Sequence, residues 1–167
     1  VARAQGARQG LRYDPDMGSD ARLSCSSSGW AWMSTLEDNA GMALVAKQGL
    51  GLPEQFGPAA PTTLQAVLDA VHATRERGYS LTVDTYSLGL SAMSAPVRFA
   101  GQAAFGVVTV AGPTVRFTPE KMQTLAPELI SITQQLAASS GASPFFSLTA
   151  ETGSAASTDG RKPIYAV

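Results

Sequence analysis

At Gly78 the spacing of apolar residues changes period, and that change restricts what the chain can become. Upstream, Leu64, Val67, Leu68 and Val71 recur at helical spacing behind Thr62-Thr63-Leu64-Gln65, which has the spacing of a capping box. Gly78 is the expected stop of that helix. Downstream the pattern reads as three strands, at residues 79–83, 91–99 and 103–111, with Ala100-Gly101-Gln102 as the hairpin turn between the last two. Thr118-Pro119-Glu120 then supplies an N-cap, a proline at the first helical position and an acid in the first turn. Met122, Leu125, Leu129, Ile132 and Leu136 follow on one face of a long C-terminal helix, and Pro127 inside it is expected to introduce a bend.

Two shorter helices precede Gly78. Leu23-Ser24-Cys25-Ser26-Ser27-Ser28-Gly29 leads into Trp30-Ala31-Trp32-Met33-Ser34-Thr35-Leu36, dense enough in apolar residues for a short buried helix capped by the serines. A second helix is expected over 39–48, with Asp38 as N-cap, Gly49 as its stop, and Met42, Leu44 and Val45 buried. The order of elements gives an α+β domain, an antiparallel sheet covered by helices. Residues 1–140 form the domain, and the Ser-, Ala-, Thr- and Gly-rich stretch 141–167 reads as a tail anchored only by Phe145-Phe146 and Ile164-Tyr165.

The charge balance narrows the function. Twelve Lys plus Arg stand against 13 Asp plus Glu, with no basic stripe to track phosphates, so this piece is not expected to bind DNA alone. Charged residues are only 15% of the chain, below the usual quarter or so, which suggests surface hidden in contacts between copies. The single Cys25, the lack of a signal peptide and the lack of a long apolar run make the cytoplasm the expected compartment, with no membrane partner. The chain starts at Val1, and an upstream segment is expected to belong to the same protein.

Catalytic parts are missing from the pattern. The one histidine, His72, sits at the edge of the apolar face of its helix, and no nucleophile elbow, metalloprotease motif, Walker loop or dinucleotide fingerprint occurs. Cys25 reads as a small apolar filler rather than a reactive thiol. The acids in Asp14-Pro15-Asp16-Met17-Gly18-Ser19-Asp20 lack the glycine and bidentate glutamate of a calcium loop. No catalytic residue, metal or cofactor is therefore expected. Two readings of Ser26, Ser27 and Ser28 stay open on the residues alone: plain helix capping, or hydroxyl and backbone donors that hold a small anion.

The later motifs make the chain recognisable. Ala73-Thr74-Arg75-Glu76-Arg77-Gly78-Tyr79, Gly89-Leu90-Ser91-Ala92-Met93-Ser94-Ala95-Pro96-Val97, Ala111-Gly112-Pro113 and Phe117-Thr118-Pro119-Glu120 occur in order. Ahead of them stand Leu11-Arg12, Arg22-Leu23 and Ser26-Ser27-Ser28-Gly29. The set resembles the effector-binding domain of bacterial regulators of the isocitrate-lyase-regulator (IclR) type, over roughly residues 1–140. The resemblance implies a GAF-like antiparallel sheet flanked by helices, with a winged helix-turn-helix and the domain's first strand lying outside this chain. It implies a homodimer or homotetramer that meets operator DNA through that helix-turn-helix module, with a small organic effector bound here.

Carried over position by position, the resemblance places an effector against Tyr13, Ala21, Ser27, Ser28, Thr82, Ala92, Thr109 and Ala111. Thr82, Ala92 and Ala111 stand where relatives carry an acid, a cysteine and a serine. The site is thus less polar, and at positions 92 and 111 roomier, which points to a carboxylate with an apolar or aromatic body. Ser26 joins the donor turn, and Met93 and Phe105 are candidate apolar walls, although strand alternation sets Met93 opposite Ala92 unless a bulge intervenes. The competing readings are a GAF-like dimerisation module without a ligand and, more remotely, an enzyme using Cys25.

Overall fold

The structure is a computed structural model that describes residue 4, residues 21–51 and residues 53–140. Tyr13 and the 14–20 acidic loop lie outside the described residues. The elements run α1 (Ser27–Met33), α2 (Asp38–Gln48), a 3-10 turn (Pro53–Gln55), α3 (Leu64–Arg77), β1 (Ser80–Val83), β2 (Leu90–Val97), β3 (Gly106–Pro113) and α4 (Pro119–Ser140). The three strands form one antiparallel sheet in the order β1-β2-β3. This is the α+β arrangement that the change of period at Gly78 implied.

Alternation along the strands gives the sheet two chemically different faces. On one, Leu81 pairs with Met93, Met93 with Val110 and Ala95 with Val108. This face packs on α4, where Met93, Ala95, Phe117, Met122, Ala126 and Leu129 form a buried cluster with Tyr79. Met93 and Met122 are fully buried, and each such side chain contributes about 1.5–3 kcal/mol through removal from water. The other face carries Ser80 and Thr82 on β1, Ala92 and Ser94 on β2, and Thr109 and Ala111 on β3. α1 lies over it, and behind α1 a second cluster of Trp30, Met33, Val45, Val67 and Val71 ties α1 to α2 and α3.

The cap residues explain the helix limits. Thr63 Oγ1 accepts from the Ala66 N–H and starts α3, and Gly78 ends it in the left-handed region at φ 79°. α2 departs from expectation at its start: Glu37 is its N-cap, without a side-chain hydrogen bond, and Asp38 lies in the first turn. The Asp38 carboxylate is instead taken by α3, with one oxygen 2.7 Å from His72 Nε2 and the other 2.8 Å from an Arg75 nitrogen. Arg75 also donates to the Ser34 and Leu36 carbonyls, so it closes the α1–α2 connection.

Two expectations about burial are corrected. Leu44 is 37% exposed, while Val45 is fully buried. On α4 the buried stripe runs Met122, Ala126, Leu129, Thr133 and Ala137, and Ile132 and Leu136 stay 41% and 44% exposed. The buried stripe thus mixes large residues with alanines and a threonine, and Ile132 and Leu136 fall outside it. Trp30, in the short helix expected to be buried, is 6% exposed, with its indole N–H donating to the Ser24 carbonyl. Trp32 is half-buried and donates to the Ala104 carbonyl at the β2–β3 hairpin.

Candidate functional site

α1 begins where a tight crossing allows it. Ser26 is the N-cap, its Oγ accepting from the Gly29 N–H at 3.0 Å. A Cβ on Gly29 would lie 2.8 Å from the Leu23 Cα and 3.0 Å from the Arg22 carbonyl oxygen, so only glycine lets the 22–23 segment cross there. With Ser26 committed to the cap, Ser27 is the first helical residue and its side chain is turned into the sheet.

There it enters a chain of four hydroxyls. Ser27 Oγ is 2.6 Å from Ser80 Oγ on β1, and Ser94 Oγ on β2 donates to Ser27 Oγ at 2.8 Å. Ser94 Oγ is in turn 2.8 Å from Thr109 Oγ1 on β3. At the inner end Ser80 Oγ donates to the Ser27 carbonyl at 2.8 Å. Ser80 and Ser94 are fully buried and Ser27 nearly so, whereas Thr109 is exposed. A buried hydroxyl without a partner is costly, and among the described residues every buried side-chain polar atom has one.

Around this chain the surface is neutral and small. Thr82, 4% exposed, donates to the Ala92 carbonyl, and Thr85 Oγ1 donates to the Cys25 carbonyl at 2.8 Å. Ala92 is buried and Ala111, beside it on β3, is exposed. Among the described residues, the strand positions on this face carry no charged side chain. Cys25 is buried, and loss of solvation pushes its thiol up from the ordinary value, opposed by a hydrogen bond with Ser24 and by Arg22. A thiol held protonated in this way is a poor nucleophile.

Of the residues expected to line the site, Ser27, Thr82, Ala92, Thr109 and Ala111 share this face. Ser28 is half-buried next to it, its Oγ 3.4 Å from that of Ser26. Ala21 stands apart: it is exposed, and its carbonyl accepts from Gln48 at the end of α2. Phe105 sits just ahead of β3, 38% exposed, its ring 5.4 Å from that of Phe99. Met93 does not join the site. No bulge interrupts the β2 pairing, so its side chain lies on the α4 face. Ser80 was missed, although its place two residues before Thr82 marks it for the same face.

The fold defines the chain as an α+β domain with helices on both faces of an antiparallel sheet. The sequence matches the family described as bacterial transcriptional regulator IclR C-terminal over residues 1–138. The chain belongs to that family, whose members are transcriptional regulators carrying an effector-binding domain of this kind. It is 23% identical over 126 residues to the acetate operon repressor of Salmonella typhimurium, a match that covers 75% of this chain and 45% of that protein. The chain thus spans less than half the length of that relative.

Solved structures share the fold. The inducer-binding domain of the Acinetobacter transcription factor PobR, a double mutant in complex with 3-hydroxybenzoic acid, is 22% identical with a TM-score of 0.61, covering 69% of this chain and 66% of that one. The C-terminal domain of the E. coli regulator KdgR is 18% identical with a TM-score of 0.61, covering 70% and 69%. An IclR-type regulator from Alicyclobacillus acidocaldarius is 17% identical with a TM-score of 0.64, covering 78% and 50%. Among the described residues no helix is long and apolar enough to cross a membrane.

Proposed function

We propose that this domain binds a small carboxylic acid with an apolar or aromatic body on the α1-side face of the sheet. The observation that carries the reading is the pairing of exposed Thr109 and Ala111 with the buried hydroxyls and small side chains of β1 and β2. That face is exposed at Thr109 and Ala111 on β3, and its small neutral side chains at Ala92, Thr82 and Ala111 suit an apolar body better than a compact, highly polar acid. The carboxylate accepts from the neutral donors of the Ser28 turn, because among the described residues no strand position on the face carries Arg or Lys. The aromatic acid bound by the PobR domain is a molecule of this kind.

In the whole protein, residues 1–140 form the sensor, residues 141–167 lie outside the described residues, and operator DNA is met by a helix-turn-helix module outside this chain. The protein works in the cytoplasm as a homodimer or homotetramer. The near-neutral charge balance supports a division of labour in which the sensor itself has no sequence-specific DNA affinity. Exposed Leu88, Val115, Ile132 and Leu136 supply the apolar surface that self-association would bury.

Thermal shift against a panel of aromatic and branched carboxylic acids tests the reading. A ligand at 100 times its dissociation constant adds about 2.7 kcal/mol. Ser28→Leu should abolish that gain while leaving the melting temperature of the free protein nearly unchanged. A second reading, a dimerisation module without a ligand, draws on the fact that the buried hydroxyls already satisfy one another. No stabilisation by any acid, together with a stable dimer in light scattering, would decide for that second reading.

A further inference from the structure

The hydroxyl chain has a direction, and the direction reaches the open end. A hydroxyl has one proton to donate and can accept from others. Ser80 directs its proton at backbone carbonyls, that of Ser27 at 2.8 Å and, at the longer distance of 3.3 Å, that of Ser94. Ser94 spends its proton on Ser27 Oγ. Ser27 therefore accepts from Ser94, and its own proton goes to Ser80 Oγ at 2.6 Å. With the Ser94 proton committed inward, the 2.8 Å contact between Ser94 and Thr109 is a hydrogen bond only if Thr109 donates. Every proton thus points the same way, from Thr109 through Ser94 and Ser27 to Ser80.

We infer that Thr109 presents an acceptor to the effector, so that the effector carries a hydrogen-bond donor, a hydroxyl or an N–H, in addition to its carboxylate. Thr109 is the one member of the chain that is exposed, and it lies on the face shared with Ala92 and Ala111. Its outward lone pairs accept from a ligand at no cost to the chain. A ligand offering only an acceptor there forces Thr109 to withdraw its proton from Ser94, which loses one hydrogen bond. One net hydrogen bond corresponds to a preference of roughly two- to tenfold for the donor-bearing ligand. The inference rests on the effector reading above and sharpens it to hydroxylated or amino-bearing acids.

The test uses matched probes that differ in a single donor, 3-hydroxybenzoate against 3-methoxybenzoate and mandelate against O-methylmandelate, titrated calorimetrically into the full chain. The hydroxylated member of a pair that binds is expected to be the tighter one by two- to tenfold. Thr109→Val, which removes the outward acceptor at an exposed position, should abolish the difference. Ser27→Ala should move the preference toward the methylated member, because the Ser94 proton then turns to Thr109 and the Thr109 proton turns outward. Preference for the methylated member by the unaltered protein, or a hydroxyl preference that survives Thr109→Val, overturns the inference while leaving the effector site standing. If neither pair binds at millimolar concentration, the inference falls for acids of this size together with the aromatic-acid reading. If Ser27→Ala does not fold, the Thr109→Val comparison decides alone.

Discussion

Replacing Ser27 by alanine probes the junction of α1 with the sheet, and its cost can be worked from the contacts. Ser27 Oγ takes part in two hydrogen bonds, one with Ser80 at 2.6 Å and one from Ser94 at 2.8 Å. Both are buried and both disappear. Neither partner is left with a stranded proton: Ser80 keeps its bond to the Ser27 carbonyl, and Ser94 can turn to Thr109, whose proton then meets water. The expected loss is therefore two net hydrogen bonds without an orphaned donor, about 1–3 kcal/mol. At about 3–6 °C per kcal/mol for a domain of this size, the melting temperature should fall by roughly 3–18 °C. Thr109→Val, which removes one bond at the exposed end, should cost about 1 kcal/mol or less. Urea denaturation at constant m-value measures both. A Ser27→Ala protein as stable as its parent, or a Thr109→Val protein less stable than Ser27→Ala, would refute the account of the hydroxyl chain as a buried, sequential network.

Met93→Ala should cost about 2–5 kcal/mol through the cavity it leaves against α4, yet leave the affinity of any acid that binds unchanged, because Met93 faces away from the site; a selective loss of affinity in a folded variant would put it back there. Asp38 has its carboxyl held below the ordinary range, first by the hydrogen bond with His72 and next by that with Arg75. Since the folded value is the lower one, the stabilisation is fully present above the unfolded value of about 3.9 and drains away as pH falls through the folded value. Asp38→Asn should flatten that acid limb in denaturation curves recorded from pH 5 down to pH 2, and an unchanged limb would show that the ion pair contributes nothing. Gly57→Ala should destabilise by about 1–3 kcal/mol, because a Cβ there would overlap the Asp84 carbonyl, which also accepts from the Ala59 N–H. Calorimetric melting would check it, and a neutral result would mean that the 57–59 loop shifts freely.

Much of this domain is written in local patterns. Thr63 and Gly78 bracket α3, Pro119 opens α4, and alternation along β2 and β3 places Ala92, Ser94, Thr109 and Ala111 on one face, because caps and periods depend on residues within a few positions of one another. The same alternation set Met93 opposite Ala92, and the unbulged pairing keeps it on the α4 face. The family resemblance was equally legible, being a matter of ordered motifs. What the sequence left open depends on long-range contact. Whether the three serines only cap a helix or also reach into a site turned on one choice. Ser26 takes the cap, and Ser27 is thereby aimed at Ser80 and Ser94, 53 and 67 residues away in the chain. The outward turn of Ile132 and Leu136 was likewise invisible, since a helix with apolar residues over a broad arc can settle in more than one rotation. The tertiary structure selects the rotation that buries Met122, Ala126, Leu129, Thr133 and Ala137, and it selects the direction of the hydroxyl chain because only the assembled sheet brings Ser94 within reach of both Ser27 and Thr109.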